Sequence, residues 1–387
     1  MTKTEKEQAL PMRILFPILF GFFVMGFVDV VGISTNYVKV DFNLSDTFAN
    51  LLPMMVFVWF ALFSIPTGVL MDKIGKNRTV QIAFGFTVLA MLIPLVWYSF
   101  ATMLVAFAFL GIGNTMLQVA LNPLVAQVVS PSKLTGTLSL GQFMKAVSSF
   151  LGPILAAIAA GTWGDWKLIF PIYLVTTLIA SAWLWFSVPK DGGEESSRAS
   201  FGSTLALFKD AYIFKLFLGI LFIVGVDVGL NTSIPKLLMA NAGLSLADAG
   251  LGTSLYFAAR TIGTFAGSFL LMKLSSARFF KYSIVLAIAS FVVMLFVDNL
   301  MVLFAMIVLV GLACANVFSI IFSFALQYKP EAENSISALM IMGVSGGALI
   351  LPLMGVLADW KGQIAGLALL LVCLFYLAWL AFTTKNK

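Results

Sequence analysis

The stretch FVMGFVDVVGIS, residues 23–34, sets one aspartate inside an apolar, glycine-spaced run. Two hundred residues on, FIVGVDVGLNTS (222–233) does nearly the same. Both belong to apolar windows of about twenty residues that recur from residue 13 to residue 384. Each window is long enough to cross a bilayer core of about 30 Å as a helix. The chain has 387 residues, 61% of them hydrophobic and only 10% charged, with a mean hydropathy of +1.03. A soluble domain carries about a quarter charged residues, so the composition describes a polytopic membrane protein. Two carboxylates in mid-run then need a reason.

Twelve helices are expected, at 13–38, 47–71, 79–98, 100–128, 135–161, 167–188, 211–238, 246–273, 279–297, 299–327, 333–359 and 363–384. The first run continues past any plausible cleavage site, so no signal peptide is expected. Cys314 and Cys373 lie within apolar runs and read as small buried residues. There is no histidine, so proton chemistry must fall to carboxylates. Neither a cofactor nor a metal is indicated. The net charge of +6 does not point to nucleic acid, because topology explains it. Seventeen lysines and arginines fall at the termini and in the even-to-odd loops, against four on the opposite side. The positive-inside rule then puts both termini in the cytoplasm of a bacterial-type inner membrane.

Comparing residue n with residue n+200 shows internal symmetry. LSDTFANLL (44–52) meets LSLADAGLG (244–252), and TGVLMDKIGKNR (67–78) meets GSFLLMKLSSAR (267–278). Lys73 falls over Lys273 and Arg78 over Arg278. The fold class expected is all-α, with twelve transmembrane helices in two pseudo-symmetric six-helix bundles: 1–188, a polar cytoplasmic linker at 189–210, and 211–387. Two such halves in parallel are the architecture of transporters that rock around a midplane site.

The segment GVLMDKIGKNR (68–78) resembles the loop 2–3 signature of the major facilitator superfamily, with Gly68, Leu70, Asp72 and Gly75 matching. Lys73 and Lys76 stand at its basic positions. The resemblance implies a gating role at the cytoplasmic side for Gly68, Asp72, Lys73, Gly75 and Arg78. LQVALNPLV (117–125), LGQFMKA (140–146), RTIGTFAGSFLL (260–271) and GGALILPLMGVLAD (346–359) look like the fucose permease branch of sugar:proton symporters. That branch has a protonatable helix 1 acid, here aligned with Gly32 and one turn from Asp29. It also has a helix 4 glutamate, aligned with Gln118, which cannot titrate. The branch's helix 5 asparagine is replaced by Lys145.

A charge at a bilayer centre costs about 2.5–3.5 kcal/mol on insertion scales, so such residues usually face a cavity or a partner. Asp29, Asp227, Lys145 and Arg260 qualify. Asp29 lies about 24 Å along its helix at 1.5 Å per residue, and Asp29, Gly32 and Asn36 form one polar stripe. Desolvation favours the neutral form of a carboxylic acid, so Asp29 and Asp227 are candidate proton carriers; a static salt bridge with Lys145 or Arg260 is the alternative. Asn231 follows Asp227 by one turn. On helix 4, Asn114, Gln118 and Asn122 recur every four residues, opposite Cys314, Phe318 and Phe322 in the repeat. Amides on one side and rings on the other suit a sugar, whereas amide-mediated helix packing is the plainer reading; the Asn122-Pro123 step is a candidate helix break. Gln142, Lys145 and Ser149 share a face, as do Tyr256, Arg260 and Thr264.

These residues are read as a substrate site for a hexose-like monosaccharide imported by proton symport, with proton or sodium as the coupling ion and one chain as the working unit in the bilayer. The alternatives are a carrier of an acidic sugar, its carboxylate on Lys145 or Arg260, and an efflux pump for amphiphiles. An enzyme would need a nucleophile, a metal or a paired acid and base, and the sequence shows no such constellation. A sensor would need an added signalling domain, for which the termini are short.

Overall fold

The computed structural model describes residues 12–44, 48, 51–188, 201–244, 246–361 and 363–384. Residues 189–200 of the expected linker lie outside them. Twelve long helical rods account for nearly all of the described chain. The first rod, α1, is Met12–Met25, a 3-10 turn at Gly26–Asp29 and then Val30–Asp41. It is followed by α2 (Leu51–Ile74), α3 (Lys76–Val96), α4 (Phe100–Val128), α5 (Pro131–Trp163) and α6 (Ile169–Ser187). A short helix at Phe201–Ala206 precedes α7 (Ala211–Ala242), α8 (Leu246–Leu271) and α9 (Ser276–Phe296). The last three are α10 (Leu300–Cys314 continued by Val317–Tyr328), α11 (Glu333–Met342 continued by Gly346–Lys361) and α12 (Gln363–Thr383).

Among the described residues, eleven segments have the length and hydropathy of a membrane crossing. The helix missing from that set, α8, has the length, but Arg260 and a run of Thr, Gly and Ser dilute its apolar character. Local signals set the ends. Ser99 and Thr102 form a reciprocal capping box before α4, and the Asp210 and Asn299 side chains accept from the first amides of α7 and α10. Such caps satisfy donors that a helix end otherwise strands. Between α2 and α3 stands one residue, Gly75, at φ +86°. Only glycine takes that conformation without strain, so α3 starts at Lys76 rather than at 79.

By packing, the chain falls into two units. One contains Met1–Pro131, Gly141–Leu205 and Lys329–Met342; the other contains Ser132–Leu140, Ala206–Tyr328 and Gly343–Lys387. In the first unit α4 is the central rod, with every residue from 110 to 125 buried among α1, α2, α3 and the first segment of α11. In the second, α7 holds that place against α8, α10, α11 and α12, through Ile213, Leu216, Ile220, Val226, Leu230 and Ile234. Exposed apolar side chains such as Leu62, Leu89, Ile179 and Phe186 on α2, α3 and α6 suit an environment of lipid rather than water.

Hydrocarbon offers no hydrogen bonds, so polar groups must be satisfied inside the protein. The hydroxyls of Ser64, Thr67, Thr87, Thr115 and Thr177 each donate to the carbonyl four residues back. Contrary to the break considered at Asn122-Pro123, α4 runs straight through Pro123. Proline has no amide hydrogen, so it frees the carbonyl four residues earlier, that of Val119. Ser337 of α11 supplies the missing donor at 2.6 Å, and it is fully buried. The break is avoided by a residue 218 positions away.

That replacement is testable by thermal unfolding in detergent. Ser337→Ala should lose about 1–3 kcal/mol, the cost of an unsatisfied buried acceptor. Pro123→Ala should restore the helical amide, so the double variant Pro123→Ala/Ser337→Ala should recover most of the loss. Strict additivity of the two changes would show that they do not serve the same carbonyl.

Candidate functional site

In the first unit the site is built on the interruption of α1. An unbroken helix was expected there, but residues 26–29 tighten into a 3-10 turn. The Asn114 amide of α4 donates to the Met25 carbonyl at 2.5 Å, where the turn begins. Gln118 donates to Asn114 Oδ1 at 2.8 Å, and Asn122 donates to the Gln118 carbonyl at 2.7 Å. The three amides are 2%, 5% and 2% exposed, so the stripe read from the sequence is a buried ladder whose upper rung holds the α1 turn.

The turn presents Asp29. Residues 24–28 and 30–31 are buried and Asp29 alone is exposed. The Ser149 hydroxyl of α5 lies within hydrogen-bond reach of Asp29 Oδ2 and, at 2.9 Å, of the Lys145 carbonyl. One proton serves one acceptor at a time. Lys145 is half-buried one turn before Ser149, and no ion pair joins it to Asp29 among the described residues. Behind Asp29, Phe27 stacks face to face on the buried Tyr173 of α6, with centroids 3.9 Å apart. Gln142 is half-buried on the Lys145 face. The side chain of Asn36 lies outside the described residues.

In the second unit Asp227 of α7 is fully engaged. Arg260 Nη1 of α8 forms an ion pair with its Oδ2, and the Tyr256 hydroxyl donates to its Oδ1 at 2.7 Å. Tyr256 is completely buried, and the guanidinium stands 6.0 Å from its ring. Asn231, one turn further along α7, is half-buried. Asp227 and Arg260 therefore cancel, as the static-pair reading allowed, whereas among the described residues no ion pair joins Asp29 and Lys145. The two halves repeat in sequence and differ in ion pairing.

The loop 2–3 residues gather at a third place, also within the first unit. Asp72 accepts a hydrogen bond from the Asn334 amide, and Lys76 pairs with Glu333. A Cβ on Gly68 would come within 2.7 Å of the Ala338 Cβ, so α2 and α11 are in backbone contact there. Lys73 and Arg78 are exposed and form no ion pair among the described residues. Sequence reasoning singled out neither Glu333, Asn334 nor Ser337; polar residues opening an apolar helix, in KPEAENS (329–335), were the available signal. Phe27 and Tyr173 left no signal among so many aromatics.

The model of the Major Facilitator Superfamily matches residues 16–237, more than half of the chain. A glucose/galactose transporter of Brucella abortus is 24% identical over 373 residues, covering 92% of this chain and 90% of the relative. The fold matches FucP, a Major Facilitator Superfamily transporter solved in the outward conformation, with a TM-score of 0.84 at 16% identity over 98% of this chain and 99% of that one. It matches the E. coli fucose:proton symporter FucP at a TM-score of 0.83 and 15% identity, covering 96% and 98%. With the repeat, the twelve rods and the loop 2–3 signature in place, the chain belongs to the Major Facilitator Superfamily of membrane transporters.

Proposed function

We propose that the protein imports a hexose-like monosaccharide by proton symport, through alternating access, with Asp29 as the proton carrier. The observation that carries this reading is the state of Asp29. It is exposed in the midst of buried neighbours, has a hydroxyl partner in Ser149 and forms no ion pair among the described residues. A carboxylate so placed gains and loses a proton without breaking a salt bridge. Asp227, locked to Arg260 and Tyr256, is the poorer carrier and serves to hold α7 against α8. The names of the relatives support a sugar: one is a glucose/galactose transporter and another a fucose:proton symporter. The α2–α11 cluster of Gly68, Asp72, Lys76, Glu333 and Asn334 serves as the gate, because it ties residues from opposite halves of the sequence. The protein works as one chain in the inner membrane with both termini in the cytoplasm.

A second reading is favoured by one observation. Arg260 is neutralised, whereas Lys145 has no ion pair among the described residues. Lys145 lies one helical turn before Ser149, the partner of Asp29. A sugar acid, its carboxylate on Lys145, would then cross with the proton as a neutral complex.

Three experiments test these assignments. Single cysteines at Lys209 and Thr162, in a background lacking Cys314 and Cys373, report topology. An impermeant thiol reagent should label Thr162→Cys in intact cells and leave Lys209→Cys unmodified; the reverse would invert the orientation. Asp29→Asn mimics the protonated acid, so uphill uptake should be abolished while sugar exchange across the membrane persists. Normal accumulation by this variant under a proton gradient would remove Asp29 from the mechanism. Lys145→Gln separates the substrates. Loss of a charge-assisted hydrogen bond worth about 1.5–3 kcal/mol would weaken a uronate or sialate about ten- to a hundredfold. A neutral hexose should bind the variant within a few-fold of the parent. Wild-type binding of a sugar acid that Lys145→Gln abolishes would establish the second reading.

A further inference from the structure

A groove of about 470 Å³ opens on the second unit along α9 and α10, lined by Ser275, Arg278, Phe279, Tyr282, Leu286 and Leu312 among others. Its volume lies in the range of small-molecule sites, about 300–1,000 Å³. Its polarity is graded. Arg278 is in the first turn of α9, which Ser275 caps, and is exposed with no ion pair among the described residues. Leu286 is eight residues, about 12 Å, further along the helix. Leu312 comes from the middle of α10, and Tyr282, 75% exposed, stands between. One end therefore sits at the membrane boundary with a cation and hydroxyls, and the other, beyond Ser283, reaches hydrocarbon depth at Leu286, Leu312 and Ala313 with no polar side chain. Tyrosine is the residue type that favours the level between.

Neither a sugar nor a peptide matches that gradient. A sugar would leave its hydroxyls unpaired against Phe279, Leu286 and Leu312. We infer that this groove binds one anionic phospholipid, its phosphate on Arg278 with Ser275 and Tyr282 beside it, and an acyl chain along Phe279, Leu286 and Leu312. The charge fits the site, since basic residues at the membrane surface attract anionic headgroups. The bilayer also supplies the ligand at high local concentration. The groove contains none of the residues assigned to transport, so its occupancy and the substrate reading stand or fall separately.

Native mass spectrometry of protein from nanodiscs of mixed phosphatidylglycerol and phosphatidylcholine tests the assignment. The parent should retain one phosphatidylglycerol in preference to phosphatidylcholine. Arg278→Gln should lower that retention roughly fivefold, the effect of one basic group at a membrane surface, while Arg278→Lys keeps most of it. Leu286→Trp should also lower it, by filling the apolar end. Lys209→Gln, an exposed cation elsewhere, should leave it unchanged. Equal loss in Lys209→Gln, or retention unaffected by Arg278→Gln, would reduce the preference to general surface charge and overturn the proposal. Displacement of the lipid by millimolar inorganic phosphate alone would do the same, since it would mark a phosphate site without an acyl subsite. Thermal unfolding of each variant confirms that the fold survives.

Discussion

A polar group enclosed by hydrocarbon must be neutralised, hydrogen-bonded or left in contact with water. Three of the aspartates singled out by the sequence use one solution each. Asp227 is neutralised by Arg260 and held by Tyr256. Asp72 is hydrogen-bonded by Asn334. Asp29 keeps its contact with solvent and takes one hydroxyl, that of Ser149. The same constraint governs the backbone. The Val119 carbonyl freed by Pro123 is met by Ser337, and the Met25 carbonyl at the α1 turn is met by Asn114. These two irregularities each have a named side chain that makes them tolerable.

The internal repeat makes the contrast between Asp29 and Asp227 informative. Two helices of matching place carry a carboxylate at nearly matching depth, yet among the described residues only Asp227 has a cation in ion-pair contact. Arg260 and Tyr256 hold the Asp227 carboxylate by both oxygens, in a pair whose side chains are about a quarter exposed. Asp29 has no such restraint. Duplicated architecture thus holds an ion pair in one half and a carboxylate with a hydroxyl partner in the other. Lys145 lies on the α5 face that also bears Ser149, one helical turn away.

The rods, their number and their charged interior positions were legible because long apolar windows, helical spacing and the cost of buried charge are properties of a single stretch of chain. The i, i+4 stripe Asn114, Gln118, Asn122 was legible as a stripe, but whether it faced a cavity or closed on itself depended on the register of α1 against α4. The interruptions at residues 26–29, 315–316 and 343–345 contain no proline and left no local mark. At the second of these, Asn316 reaches across to the Gly263 carbonyl of α8 at 2.8 Å, a tertiary bond that no period in the sequence encodes. Which cation pairs with which acid had the same character. Both aspartates had a lysine or arginine within plausible reach, and only the relative rotation of the helices decides.

The segment Lys329–Met342 packs with the first unit although it comes from the last quarter of the chain. Its partners wait for it. Lys76 precedes Glu333 by 257 residues, and Asp72 precedes Asn334 by 262. At about 5–20 residues per second, a ribosome takes roughly 10–50 s to make the intervening chain. For that interval the freed Val119 carbonyl and the Gly68 face of α2 exist in a nascent protein with no α11 to cover them. The insertion machinery, lipid headgroups or penetrating water must occupy those positions meanwhile. Maturation of the N-terminal bundle is therefore a late event in synthesis, completed only when the second half arrives.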